Sequence, residues 1–401
     1  MTSGARPHLA FLDGMRGLAA FYVMQYHALS YVLFDDKASG VSAEALFLLR
    51  QGHFGVVLFI VLSGYCLMLP VAKSGELRGG LREFIFRRAK RLLPPYFAVL
   101  FLCAVLLAVA VSLGMKPASE LFDVRAWVTH LLLVHNLDPQ TIVAINGPLW
   151  SVASEWQIYF IFPLVLLGAW RRWGNGGALA IGIALGVALA IIFPGIRAAC
   201  PWFIGLFAMG MIAATVNFRD GSGRLARVPF GWLATAFFVG SYVLIRWNPH
   251  WVLQQDGEIP PLVTILPDFL VGIGCQLLIL ACVRNQELGR PSFWTRLLSS
   301  KLLVTLGAFS YSLYLIHSPI QSGLAALLSK VPLPFLSFEP VLFGCLLVAS
   351  IIAGGVFFLM VERPFLHSRS GRHSEQSNLD VVPIDGSRAT CQPARALIEG
   401  K

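Results

Sequence analysis

The sequence predicts an all-α membrane protein, a bundle of about ten transmembrane helices, from three observations. Apolar residues make up 56% of the 401 residues and charged residues only 13%, whereas soluble domains carry about 25% charged residues. About ten stretches are long enough to cross a hydrocarbon core about 30 Å thick. Lys and Arg concentrate in the loops of one side. The net charge of +10 therefore reflects orientation in a membrane, and we expect no nucleic-acid partner.

The apolar stretches define the predicted spans. They cover residues 12–34, 54–72, 93–114, 149–169, 178–194, 199–216, 230–247, 264–283, 303–327 and 340–361. Residues 178–216 hold either two spans joined by a tight hairpin or one broken span, because only four residues separate their apolar runs. The stretch from Trp127 to Leu137 is too short to span and is expected to be interfacial or re-entrant.

Loop charges give the chain a direction. With the N-terminus inside, the loop after the second span is rich in Lys and Arg, whereas the outer segments hold few. This asymmetry predicts a multi-pass protein of the inner (plasma) membrane with both termini cytoplasmic. A transmembrane domain is expected over residues 8–365 and a disordered cytoplasmic tail over 366–401. No cleavable signal peptide is expected, so the first span is retained.

Two ionisable residues in the first span, Arg16 and His27, suggest a functional site. They lie eleven residues apart, about three helical turns, so they share nearly one face and differ by about 16 Å in height. An Arg at mid-span costs about 2.5–3.5 kcal/mol, which favours a functional reading. His27 suits proton transfer at neutral pH, or it is hydrogen-bonded between helices. Arg16 holds phosphate or a thioester carbonyl, or forms a local ion pair with Asp13.

Further polar residues mark both sides of the membrane. Arg88 and Arg91 are three apart and suit bidentate phosphate binding, or they anchor the chain to anionic lipid. Glu155 lies about 9 Å below the start of the fourth span. This puts it in the outer half, where a carboxylate can orient His27; alternatively, it pairs with a structural arginine or is protonated in the bundle. His317 also lies past mid-membrane, as a packing or acceptor contact rather than the base.

The seven cysteines predict no metal site. They are scattered along the chain without a C-x-x-C motif or a His/Cys ligand spacing. Most lie in apolar runs, so we expect them to be small core residues.

Together these segments resemble the membrane acyltransferase-3 family, which O-acylates surface glycans and related acceptors. The matching segments are Leu12-Asp13-Gly14-Met15-Arg16-Gly17 with His27, Gly64-Tyr65, Arg88-x-x-Arg91 before Pro94 and Tyr96, Gly147-Pro148-Leu149-Trp150-Ser151 with Glu155, Ser310-Tyr311-x-Leu313-Tyr314-Leu315-x-His317, and Glu362-Arg363-Pro364. Their order and spacing extend over residues 8–365. The chain looks most like the stand-alone members, among them exopolysaccharide, O-antigen and rhizobial nodulation-factor acetyltransferases.

The resemblance implies that cytoplasmic acyl-CoA donates an acyl group, acetyl on family grounds, to a hydroxyl of an extracytoplasmic glycan or lipid-linked saccharide. Acyl-CoA is then a co-substrate, and no bound cofactor is expected. The family assigns the essential centre to Arg16 and His27, to which we add Glu155. It associates Arg88 and Arg91 with acyl-CoA, and we add Arg16 there. The acceptor-side residues are expected to be Trp150, Ser151, Tyr311 and His317.

Two questions remain open at the level of sequence. Direct transfer and an acyl-histidine intermediate on His27 are both compatible with the residues. A proton-coupled transporter or flippase of a glycan or lipid intermediate also uses intramembrane His and Glu. The chain lacks visible internal symmetry, which argues modestly against a transporter. A purely structural subunit would leave the ionisable residues without a purpose.

Overall fold

A computed structural model describes residues 9–32, 41–219, 228–248, 262–328 and 339–367. Within these ranges the chain is helical and contains no strand. The predicted tail over 366–401 lies outside the described residues, apart from its first two positions. The all-α class predicted from the sequence is confirmed.

Sixteen helices follow one another in the described part of the chain. They are α1 (Ala10–Leu29), α2 (Val41–Leu49), α3 (His53–Ser74), α4 (Gly80–Ser112), α5 (Ala118–Leu121), α6 (Val124–Leu131), α7 (Leu149–Ile161), α8 (Leu167–Ile192), α9 (Phe203–Arg219), α10 (Phe230–Trp247), α11 (Ile265–Glu287), α12 (Phe293–Leu298), α13 (Lys301–Ala308), α14 (Ser310–Leu328), α15 (Glu339–Phe357) and α16 (Arg363–His367). Short 3-10 turns cover His135–Leu137, Pro194–Ala199 and Leu262–Thr264, and π-helical turns cover Phe162–Leu166 and Phe358–Glu362.

Seven helical runs among the described residues are long and apolar enough to cross a membrane, and the bent pair α13–α14 makes an eighth. Two features explain the difference from the ten predicted spans. The run 149–192 contains two of them and bends at Gly174, whose φ of 66° and ψ of −159° leave the helical region. The first span, α1, is not among the seven runs. The fold is thus a polytopic helix bundle.

Helix α1 carries polar side chains and packs inside the bundle. It packs against α3, α13 and α14. Gly14 and Gly17 allow backbones to touch here: a Cβ on Gly14 would lie 1.6 Å from the carbonyl oxygen of Leu298, and one on Gly17 would lie 2.1 Å from that of Leu303. A helix inside a bundle does not need the apolar surface that lipid demands. The polar side chains of α1 therefore face other protein groups.

The uncertain stretch 178–216 is a hairpin of two helices. α8 and α9 pack against each other and are joined through the 3-10 turn Pro194–Ala199. From the sequence, this hairpin and a single broken span had been equally open alternatives.

The stretch predicted to be interfacial or re-entrant forms the short helix α6 and the turn His135–Leu137. Asp123 caps α6 by accepting a hydrogen bond of 3.0 Å from the amide of Ala126. Asn136 braces α7, because its amide donates to Ser154 Oγ at 3.0 Å and to Gln157 Oε1 at 3.1 Å. This loop therefore helps to hold the helix that carries Trp150, Ser151 and Glu155.

Candidate active site

Three arginines line one cavity inside the bundle. Its volume is about 130 Å³. Arg16 comes from α1, and Arg88 and Arg91 come from one face of α4. We call this the arginine cavity; its other lining residues are Val56, Phe59, Ile60, Leu62, Ser63, Cys66, Leu67, Leu92, Ser151, Val152, Glu155, Tyr159, Ser310, Tyr311 and Tyr314. The structure thus brings together the three residues predicted to bind acyl-CoA.

Positive charge dominates the arginine cavity. Its described lining includes three arginines and a single carboxylate, Glu155. Arg16 donates from Nη1 to Asp13 Oδ1 at 3.1 Å and from Nη2 to Cys66 Sγ at 3.2 Å. The local ion pair with Asp13 is therefore present, and Arg16 nevertheless lines the cavity. Such a cluster of guanidinium groups suits a phosphorylated ligand.

Glu155 lies in the arginine cavity and not in the cavity of His27. It accepts a hydrogen bond of 2.6 Å from the hydroxyl of Tyr159. Glu155 and His27 thus line different cavities, and the orientation of His27 by Glu155 stays a prediction. The depth at which α7 begins explains this separation: Asn146 donates to the carbonyl of Leu315, in the first third of α14, at 3.0 Å. The start of α7 is thus already inside the bundle, and Glu155 lies about 9 Å further along the axis.

Two predicted acceptor-side residues also belong to the arginine cavity. Ser151 and Tyr311 both line it, and the Tyr311 hydroxyl donates to the carbonyl of Leu92, on the arginine helix α4, at 2.9 Å. Tyr311 precedes His317 by six residues on α14, a rise of about 9 Å. Their acceptor-side role stays a prediction.

A second, smaller cavity of about 20 Å³ lies at the level of His27. We call it the histidine cavity; it is lined by Val23, Tyr26, His27, Gly52, His53, Val56, Pro148, Trp150 and Tyr314. Trp150 thus lines the same cavity as His27, and its acceptor-side role stays a prediction. Because a site for one water needs about 10–15 Å³, this cavity has room for a group the size of one hydroxyl.

Two contacts of His27 involve the same ring nitrogen, Nδ1. His27 Nδ1 lies 2.9 Å from the carbonyl oxygen of Val23 and 3.3 Å from His317 Nε2. His317 Nδ1 lies 3.2 Å from the carbonyl oxygen of Leu313. Since carbonyl oxygens only accept, we assign a proton to each Nδ1. In this arrangement His317 Nε2 accepts a hydrogen bond from His27 Nδ1.

The structure adds a histidine–carboxylate pair that the sequence analysis did not identify. His53 Nε2 lies 3.0 Å from Asp268 Oδ1, and Trp202 Nε1 donates to Asp268 Oδ2 at 2.7 Å. The ring of His53 also stacks on Trp150, with a centroid distance of 6.3 Å and an interplanar angle of 14°. Asp268 is an ionisable residue in an apolar span, which is the signal that could have revealed it.

Tyr314 and Val56 line both cavities and separate them. The Tyr314 hydroxyl donates to the carbonyl of Pro148 at 3.0 Å and lies 2.5 Å from Ser151 Oγ. Two adjoining compartments therefore occupy different heights along α1, one rich in arginine and one rich in histidine.

Among the described residues, one group has donor atoms close enough for a metal ion. Ligand atoms of His53, Cys200 and Asp268 all lie within 4.8 Å of one another. Both oxygens of Asp268 already accept hydrogen bonds, from His53 and Trp202. The geometry consequently favours a hydrogen-bonded network at this position.

Comparison with known proteins identifies the family. A family model described as an acyltransferase domain matches residues 9–360. Acyltransferase MdmB of Streptomyces mycarofaciens is 25% identical over 414 residues, which cover 95% of this chain and 98% of that protein. Peptidoglycan O-acetyltransferase OatA of Listeria monocytogenes is 26% identical over 344 residues, 80% of this chain, and the match spans only 50% of that protein's length. No solved structure matches the chain. The chain therefore belongs to the acyltransferase-3 family and is an acyltransferase enzyme.

Proposed function

We propose that this enzyme is a membrane O-acetyltransferase that moves an acetyl group from cytoplasmic acetyl-CoA to a hydroxyl of an extracytoplasmic glycan. The acceptor class comprises exopolysaccharide, O-antigen and lipo-chitin oligosaccharide. One observation carries the proposal: a cavity with three arginines adjoins a cavity with a basic histidine, and α1 contributes to both. The name of the Listeria relative describes O-acetylation of peptidoglycan by that protein, which supports a glycan acceptor here.

The arginine cavity is proposed to hold the donor. The coenzyme phosphates bind Arg88 and Arg91 with help from Arg16, as guanidinium groups favour bidentate phosphate contacts. A volume of about 130 Å³ is smaller than the about 300–1,000 Å³ of a pocket for a whole drug-sized ligand. Only part of the coenzyme, its phosphates and pantetheine arm, therefore enters the bundle. The rise of about 16 Å between Arg16 and His27 matches the reach of an extended arm.

His27 is proposed to carry out proton transfer. In direct transfer, Nε2 removes the proton from the acceptor hydroxyl, whose oxygen attacks the thioester carbon. The C–S bond breaks, and the proton passes from His27 to the leaving thiolate. A base in this position contributes about 10²–10⁴-fold. His317 and the Val23 carbonyl hold the Nδ1 proton, so the reacting nitrogen stays Nε2.

Glu155 is proposed to act on the donor side. It is the carboxylate of the arginine cavity, so it offsets part of the positive charge and reduces the repulsion between the arginines when no coenzyme is bound. Tyr159 orients it through the hydrogen bond of 2.6 Å. This role differs from the one predicted from the sequence.

The orientation proposed is that of the loop charges, with both termini cytoplasmic in the plasma (inner) membrane. Arg171 lies after the π-turn that follows α7 and donates to the carbonyl of Gly75 at 3.2 Å. Two Lys- and Arg-rich segments thus meet at one end of the bundle, the end to which Arg16 of α1 is nearer. The contact supports placing the arginine cavity toward the cytoplasm.

The test is glycan acetylation in cells that carry His27→Ala. We expect the variant to accumulate in the membrane while alkali-labile acetyl esters disappear from surface and secreted glycans, as measured by mass spectrometry. Arg125→Ala is the control, because the Arg125 side chain is 59% exposed and pairs with Asp138 away from both cavities. Normal acetylation in the His27 variant would overturn the proposal.

A further inference from the structure

We propose that Val56, at the boundary between the two cavities, restricts the transferred acyl group to acetyl, because its side chain fills the space that a longer acyl chain would need. This inference rests on the proposed function and deepens it, since it names the residue that selects among acyl thioesters of the same coenzyme. Val56 is thus a specificity-determining residue and takes no part in the bond changes.

One face of α3 forms a largely apolar wall along the arginine cavity. Its members are spaced three and four residues apart, which puts them on one side of the helix. They are Val56, Phe59, Ile60, Ser63 and Leu67. Val56 and Leu67 differ by about 16 Å in height, as do Arg16 and His27 on α1. The wall ends at Val56, which also lines the histidine cavity.

The reaction requires the acyl carbon to lie close to the acceptor oxygen, at about 3–3.5 Å before the bond forms. The histidine cavity, of about 20 Å³, has room for the acceptor hydroxyl and little more, since one water needs about 10–15 Å³. The acyl carbon therefore lies at the boundary of the two cavities. The next carbon of the acyl chain, one bond away, lies beside Val56.

Helix α3 cannot move back to make room for a longer chain, because it is packed closely on two other sides. Next to Val56, a Cβ on Gly55 would lie 2.7 Å from the carbonyl oxygen of Ala19 in α1. Further along, a Cβ on Gly64 would lie 2.1 Å from the carbonyl oxygen of Phe207 in α9. The Val56 side chain itself is only 5% exposed. The space at the boundary is therefore set by the size of this side chain.

Tyr314, the other residue that lines both cavities, is also held in place. Its hydroxyl donates to the carbonyl of Pro148 at 3.0 Å. Its ring packs edge to face with Phe59, at a centroid distance of 5.8 Å and an interplanar angle of 83°. Neither of the two residues at the boundary can thus move aside without loss of packing.

The fixed boundary predicts a strong preference for the shortest acyl chain. Acetyl has one carbon beyond the acyl carbon, propionyl has two and butyryl has three. One additional methylene in an apolar pocket of fixed size changes kcat/KM by about 10–200-fold. We therefore expect the wild-type enzyme to prefer acetyl-CoA to propionyl-CoA by about this factor, and truncation of Val56 to reduce the preference.

A purely structural alternative gives Val56 a role in packing alone. In that case its truncation lowers stability and slows transfer of every acyl group alike. Val57 provides the matched control, because it is the next residue of α3, is fully buried and lines neither cavity. Truncation of Val57 removes the same two methyl groups from the core of the bundle.

The experiment uses the purified full-length protein in lipid nanodiscs with surface oligosaccharides from the host cell. The donors are acetyl-CoA, propionyl-CoA and butyryl-CoA, and kcat/KM is measured for each from ester formation by mass spectrometry. Val56→Ala should raise the propionyl-to-acetyl ratio at least about tenfold. Val56→Ile should lower that ratio below the wild-type value, and Val57→Ala should leave it unchanged.

The outcomes separate the two proposals. If the wild type forms no ester from acetyl-CoA, the proposed function fails. If the wild type transfers acetyl and butyryl equally well, or if Val57→Ala shifts the ratio as much as Val56→Ala, only the role of Val56 is overturned. Should Val56→Ala fail to accumulate, Val56→Ile decides: a lower ratio supports the role of Val56, and the wild-type ratio overturns it.

Discussion

Two stacked histidines outside the membrane-spanning helices make one segment sensitive to acid. The rings of His130 and His135 lie 3.8 Å apart with an interplanar angle of 10°, and both residues are fully buried. Burial lowers the pKa of His130 to about 4. Burial and the charge of His130 lower the pKa of His135 to about 3. Both rings are therefore neutral at pH 7, and lowering the pH is the perturbation.

The loss of folding stability on acidification follows from the difference between the histidine pKa values in the folded and the unfolded chain. In the unfolded chain each histidine titrates near pH 6.5. Below that pH the unfolded segment binds protons that the folded segment excludes, so stability is complete above pH 6.5 and falls on acidification. Each ring loses about 1.4 kcal/mol per pH unit until its folded pKa is reached. At pH 5 the loss is about 2 kcal/mol per ring and about 4 kcal/mol for the pair.

Unfolding of this segment would affect the active site through α7. Asn136 follows His135 and donates to Ser154 and Gln157 of α7. The same helix carries Trp150 into the histidine cavity. Acid should consequently loosen the loop first and reduce acyl transfer with it.

The assay is hydrogen–deuterium exchange of residues 124–137 at pH 7 and pH 5, corrected for the intrinsic exchange rate. A loss of about 4 kcal/mol corresponds to a drop in protection of about a thousandfold, limited by the stability of the segment at pH 7. The double variant His130→Phe/His135→Phe should show no such pH dependence. Equal protection of the wild-type segment at both pH values would refute the reasoning.

Three further predictions concern the cavities and the packing of α1. Arg91→Ala should raise KM for acetyl-CoA about 10–100-fold, because a hydrogen bond to a charged group contributes about 1.5–3 kcal/mol; an unchanged KM would remove Arg91 from the donor site. Gly14→Ala should lower the Tm of the purified protein, since the new Cβ would lie 1.6 Å from the Leu298 carbonyl oxygen; an unchanged Tm would contradict this packing. Tyr314→Phe breaks the 2.5 Å contact with Ser151 and should lower kcat about tenfold without changing KM for acetyl-CoA. An unaltered kcat would show that the Tyr314 hydroxyl, between the two cavities, does not contribute to acyl transfer.

The sequence predicted the helical class and most span positions, because long apolar runs can satisfy their backbone in lipid only as helices. It also predicted the grouping of Arg16, Arg88 and Arg91, since loop charge puts the start of α1 and the start of α4 at the same membrane face. These predictions depend on local composition and on chain direction alone.

The sequence could not predict how deep in the bundle α7 begins, or which residues far apart in the chain form pairs. Glu155 was assigned to the outer half on the assumption that α7 begins at the membrane surface, whereas Asn146 bonds to Leu315, inside α14. The partners His53 and Asp268 are separated by 215 residues, and no short motif links them. Only the packing of α3 against α11 brings this pair together beside His27.

The central claim is that the acyl group passes through the protein from the arginine cavity to the histidine cavity. The most direct test reconstitutes the protein in sealed vesicles, in one orientation, with [¹⁴C]acetyl-CoA on one side and surface oligosaccharides on the other. We predict labelled ester on the oligosaccharide and an equal amount of free CoA thiol on the donor side, both abolished by His27→Ala. Ester formation only when donor and acceptor share one side would contradict the account, as would movement of oligosaccharide without thiol release.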